Sequence, residues 1–154
     1  MDDLSFNFIE DESVRKVIEE YWSQAQKANK CKVFAGTVFL CGSILEGLLA
    51  WAISCKEDEA RKRFPEEFKQ RDGSDKHISK WGLTELIKIS KKLILIGKTS
   101  GRLLEVVQEF RNFIHPYNVK SQSARPDEGL AEISLRTVGE VYRSLSGRLK
   151  ILLK

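Results

Sequence analysis

Residues 33–54, VFAGTVFLCGSILEGLLAWAIS, contain a single charged side chain, Glu46. Read as a helix, the stretch is apolar nearly all round, a pattern at home only in the middle of a helical assembly or inside a bilayer. About 20 apolar residues suffice to span a membrane, so length does not decide between the two. Glu46 does. A carboxylate near the midpoint of a span is costly in hydrocarbon, and the flanking sequence reads as ordinary amphipathic helix. Gly36, Gly42, Ser43 and Gly47 add small positions at which a neighbouring backbone can come close. The stretch is therefore expected to be the core helix of a bundle with no membrane association.

Working outward, Val14, Val17, Ile18, Tyr21, Trp22 and Ala25 recur at helical spacing, with Asp11, Glu12 or Ser13 as the N-terminal cap and Asn29 as a stop, so a helix is predicted over 12–29. After the apolar stretch, residues 56–80 are strongly polar, with Pro65 opening a short helical piece at 66–71 and a turn at 72–75. This reads as a surface excursion. Periodicity resumes at Leu83, Leu86, Ile87, Ile89 and Leu93, ending near Gly97. It returns at Leu103, Leu104, Val106, Val107, Phe110, Phe113 and Ile114. Residues 117–128 are rich in Ser, Asn, Gln, Arg and Pro and read as a loop beside the end of that helix. A last helix over 129–153 is expected to bury Ile133, Val138, Val141, Leu145, Leu149 and Leu152, leaving Arg136, Arg143 and Lys150 as a basic stripe. No repeat or strand pattern is visible. The fold class expected is all-α, an up-and-down helical bundle of four to five main helices forming one domain over residues 1–154.

Composition narrows the chemistry. With 26 Lys+Arg against 22 Asp+Glu, the net charge of +4 permits a polyanion partner but is short of a strongly basic nucleic-acid footprint. Two histidines and three cysteines, with no CxxC or HxxxH pair, argue against a zinc site, and no metal or cofactor is expected. Cys31, Cys41 and Cys55 read as three buried reduced thiols. Together with an acidic start, Met1-Asp2-Asp3, that lacks signal-peptide character, they point to the cytoplasm.

Chemistry is concentrated at Glu109-Phe110-Arg111-Asn112-Phe113-Ile114-His115-Pro116. Arg111 and His115 stand at i and i+4, which on a helix brings their Cβ atoms to about 5–6 Å and lets them share one small anion. Pro116 disfavours the α conformation at His115 and ends the helix there. The plainer account of the same pair is that both cations satisfy the carbonyls and the dipole of a helix C-terminus. Glu46 is the other residue in need of an explanation, because a carboxylate on an apolar helix requires a partner or a proton.

The segment Arg111 to Pro116 with its apolar lead-in, taken with the apolar helix around Ala35 to Leu49, resembles the HEPN family of small helical bundles, whose members carry an Arg and a His near the end of a core helix. The resemblance covers residues 12–153 in order and type of element, with the specific residues confined to those two blocks. It implies Arg111 and His115 as catalytic residues of a metal-independent endoribonuclease of the toxin or defence kind. Asn112, Tyr117 and Glu46 would bind RNA or support the pair. It also implies a homodimer formed through the motif face, so that two Arg-His sets meet in one cleft. Other members of the family have lost cleavage and bind a protein partner, such as a nucleotidyltransferase. The family pattern usually places four to six residues between Arg and His, with a polar residue after the Arg. Asn112 fits that polar position, but only three residues separate Arg111 from His115.

Overall fold

The apolar stretch folds as predicted and everything else is arranged around it. The computed structural model describes residues 4–111 and 125–152. Among these are six α-helices: α1 Glu12–Lys30, α2 Phe34–Ser54, α3 Glu57–Arg63, α4 Leu83–Lys92, α5 Lys98–Arg111 and α6 Glu128–Leu152. Two short 3-10 helices, Pro65–Phe68 and Ile78–Lys80, lie between α3 and α4. The only extended pairing among the described residues is an isolated bridge between Lys69 and Asp75. The all-α expectation holds.

Helix α2 is the hub, packed by α1, α4, α5 and α6, with lesser contact from α3. Val38, Cys41, Ile44, Leu45, Leu48, Leu49, Ala52 and Ile53 are fully buried along it. A buried Leu or Ile side chain contributes roughly 1.5–3 kcal/mol relative to exposure. The helix is long and apolar enough by length and composition to cross a bilayer, yet 56% of its apolar window is buried by the other helices. Small residues set the closest approach. A Cβ built on Gly47 would lie 3.2 Å from Ile18 Cδ1, and one on Gly36 3.9 Å from Ala28 Cβ. These contacts pair 18 with 47 and 28 with 36, which makes α1 and α2 an antiparallel hairpin.

Asp11 caps α1, its carboxylate accepting from the Ser13 and Val14 amides at 3.0 and 3.1 Å. Those bonds hold its carboxyl below the usual range. Helix α1 runs one residue past Asn29 to Lys30. Ahead of it, residues 4–11 do something the sequence pattern did not announce. Phe6 and Ile9 are fully buried, Phe8 packs edge-on against Trp51 and Tyr142 at 5.4 and 5.3 Å, and the Tyr142 hydroxyl donates to the Ser5 carbonyl at 3.0 Å. A segment that turns at residues 7 and 8 thus fastens α2 to α6.

The excursion at 56–80 is more than surface. It contains α3, which polarity hid from the periodicity, and the helical piece expected at 66–71 is instead a 3-10 turn at Pro65–Phe68. Phe68, Ile78 and Trp81 are buried, with the Phe68 and Trp81 rings 4.8 Å apart. Arg61 lies over the Phe68 ring and forks onto Asp75 at 2.6 and 3.2 Å, holding the 69–75 turn against α3.

Helix α6 starts at Glu128, where Asp127 caps it by accepting from the Leu130 amide at 2.9 Å. Ile133, expected in the core, is 39% exposed. Its place is taken by Ser134 and Thr137, both buried, whose hydroxyls donate to the carbonyls one turn back at 2.8 and 2.7 Å. A hydroxyl satisfied in this way can lie on a buried face, so the core stripe of α6 is rotated from the purely apolar one. Val17 of α1, also counted in an apolar pattern, is 47% exposed.

Helix α4 ends at Lys92 and α5 begins at Lys98, five residues before the apolar pattern resumes. The turn between them is a Schellman motif: the Leu95 amide donates to the Ser90 carbonyl at 2.9 Å and the Ile94 amide to Lys91 at 3.0 Å. The left-handed residue of that motif is Ile94, with φ of 56° and 64% of its surface exposed. Glycine is the residue this conformation favours, and a β-branched side chain there is strained. Because little burial is lost, Ile94→Gly is expected to stabilise the protein by about 1 kcal/mol. Urea denaturation checks this, an unchanged or lower midpoint counting against the strain.

Candidate functional site

Helix α5 is anchored from Ser100 to Gln108. Leu104 and Val107 are fully buried, and the Ser100 hydroxyl lies 3.3 Å from that of Ser144 on α6. Gln108 donates to Thr84 Oγ1 at 2.6 Å, while Lys91 pairs with Glu105. The last two contacts make α4 and α5 antiparallel and bring the C-terminal end of α5 to the start of α4. Arg111 is the final residue of α5. Its side chain, together with Asn112, His115 and Tyr117, lies outside the described residues, as does the loop expected at 117–128 up to residue 124.

Glu46 is described. It is half-buried on α2, between neighbours Leu45 and Leu48 that are fully buried. Phe39, Ser43, Glu46 and Ala50 recur at intervals of four, three and four, so they line one stripe. That stripe is the least covered side of α2, with Phe39 47% exposed. The Ser43 hydroxyl donates back to the Phe39 carbonyl at 3.1 Å. The one carboxylate of the core helix therefore faces the side of α2 that is only partly covered. Helix α5, which terminates in Arg111, is among the helices packed on α2.

His77 and the basic stripe of α6 have structural or solvent-facing roles. His77 is the cap of the Ile78–Lys80 turn. Its Nδ1 accepts the Ser79 amide at 3.2 Å and lies 2.9 Å from the Ser79 hydroxyl. A nitrogen committed to a backbone N–H is a poor base for that hydroxyl, so the Ser-His contact reads as a cap. Arg136 and Arg143 are exposed, and Arg143 pairs with Glu140 at 2.6 Å, consistent with a solvated face. Among the described residues, no three His, Cys, Asp or Glu side chains converge as metal ligands.

The cysteines require a correction. Only Cys41 is buried; Cys31 and Cys55 are exposed, because they fall just outside the two ends of α2 and not within it. Roughly 30 Å of helix separates them, too far for a disulfide within one chain. The chain matches no family model, no curated protein and no solved structure.

Burial pushes the Cys41 thiol up to about 12, and burial with the nearby Glu10 charge raises that of Cys55. The thiolate is the reactive form. A disulfide-exchange reagent at mildly alkaline pH should titrate the two exposed thiols of the native protein, Cys41 responding only after unfolding in guanidinium. A third thiol reacting at the native rate would contradict the burial.

Proposed function

We propose that the chain is a HEPN-like RNA-binding domain that cleaves RNA without a metal, by attack of the 2′-hydroxyl on the adjacent phosphate. The observation that supports this reading most is the packing of α5, the helix ending in Arg111, on the apolar helix α2, whose single carboxylate, Glu46, lies on its partly covered side. The all-α bundle is the architecture the resemblance implies.

In this reading the Arg111 guanidinium forks onto the non-bridging phosphate oxygens and balances the charge that develops as the 2′-oxygen attacks. His115, with a reference pKa of about 6.5, takes the 2′-hydroxyl proton as its neutral form or gives a proton to the departing 5′-oxygen as its cation. One pair supplies one of those two roles at a time. A homodimer through the motif face supplies both, one His as base and its counterpart as acid. Asn112 orients His115 or holds phosphate, Tyr117 stacks on a base, and Glu46 accepts a hydrogen bond from Arg111 or Asn112.

A second reading is favoured by the spacing of three residues between Arg111 and His115. On an ideal helix each residue turns about 100°, so the shorter spacing alters the relation of the two groups from that of the family pattern. The domain is then a non-catalytic module that binds a protein partner such as a nucleotidyltransferase.

Incubation of the purified protein with single-stranded RNA in EDTA separates the two. The enzyme reading expects fragments ending in 2′,3′-cyclic phosphate and a dimer by light scattering. Losing the general base or the phosphate-binding cation should cut the rate about 100-fold or more in His115→Ala and Arg111→Ala. Intact RNA after prolonged incubation with folded protein would overturn cleavage and leave the module.

A further inference from the structure

The strained turn between α4 and α5 borders a groove of about 700 Å³ lined by Lys91, Ile94, Ile96, Lys98, Arg102 and Glu105. Lys91 lies across the bare backbone of Gly101, where an added Cβ would collide with Lys91 Cε, and its ammonium pairs with Glu105. The carboxylate of the groove is thus matched by one cation. Lys98 and Arg102 remain, both exposed and neither ion-paired with a described residue. Ile96 is buried beneath. Ile94 stands exposed at the mouth in a conformation that glycine would hold at less cost. A backbone outlier of this kind points to use.

We propose that this groove docks an acidic protein segment carrying one aliphatic side chain, which lies on Ile94 and Ile96 while its carboxylates meet Lys98 and Arg102. Charge complementarity selects the partner. Positions 98, 102, 105 and 109 share one face of α5, and on that face two cations are followed by Glu105 and Glu109. A long nucleic-acid backbone running along the helix would meet the carboxylates within two turns. A short segment with an apolar anchor uses only the cationic end. The inference does not depend on the RNA reading, since it uses neither Arg111 nor His115.

The test is a displayed library of random dodecapeptides selected on the full chain and counter-selected on the Lys98→Glu, Arg102→Glu double variant. Recovered sequences should be net negative with an aliphatic residue. As labelled peptides they should shift the amide resonances of residues 91–105. Their affinity should fall about tenfold or more in each charge reversal and likewise in Ile94→Gly, whose urea midpoint, expected above that of the parent, checks that the variant is folded. No enrichment, neutral or basic sequences, or undiminished binding by Ile94→Gly would overturn the proposal. So would an oligouridine that shifts the same resonances and displaces the peptide, which would assign the groove to nucleic acid.

Discussion

A helix with one charge in 21 residues has no polar side to turn toward water, and the rest of this molecule is shaped by the need to cover α2. An amphipathic helix asks for a single neighbour, but α2 asks for several. It receives α1 along the Gly36 and Gly47 side, where the missing side chain of Gly47 lets Ile18 come close. Helices α4, α5 and α6 pack against it in turn. Near its C-terminal end, Trp51 meets Phe8 of the entering segment, which in turn meets Tyr142 of α6. Leu45, Leu48 and Leu49 have no exposed surface left as a result.

The same requirement explains why the candidate site lies where it does. A carboxylate on a helix covered on every side would need a partner or a proton. The cover is thinnest along Phe39, Ser43, Glu46 and Ala50, and the carboxylate sits on that stripe. A functional group on the central helix of a bundle is held by the most rigid part of the fold, which is what a positioning role demands. Helix α5 is held nearly as firmly, through Leu104, Val107 and the Gln108 to Thr84 bond. Both helices that lead to the proposed site are therefore anchored, α5 as far as Gln108.

How far the sequence discloses this depends on which physical signal each element leaves. Helices α1, α2 and α6 were legible to within about two residues, because length and periodicity agree there, with Asp11 as a cap for α1. Helix α3 was not, since EDEARKR buries only Ala60 and draws its support from pairs such as Arg61 with Glu57 at 2.7 Å. Residues 4–11 form no periodic element, so Phe6 and Ile9 gave no pattern to read. The start of α5 was placed late because Lys98, Thr99 and Arg102 are exposed and the apolar spacing begins only at Leu103. Glu46 was found by its misfit on an apolar helix. The groove beside Ile94 was missed, for a left-handed isoleucine looks in sequence like one more apolar residue of Leu93-Ile94-Leu95-Ile96.

Helix α5 carries the two proposed functions at opposite ends. Arg111 lies thirteen positions after Lys98, about 20 Å along the axis, and nine steps turn an ideal helix by about 900°, so positions 102 and 111 fall on opposite sides. A partner segment seated on Lys98 and Arg102 need not occlude the motif end, and a dimer formed at the motif end need not cover the groove. The helix between them is packed on α2, α4 and α6, so a partner that shifted it would have to disturb the fully buried Leu104 and Val107. Close-packed contacts of that kind resist gradual displacement. The expected relation between the two sites is therefore recruitment, in which the groove brings the domain to a protein, and not a conformational signal passed down α5.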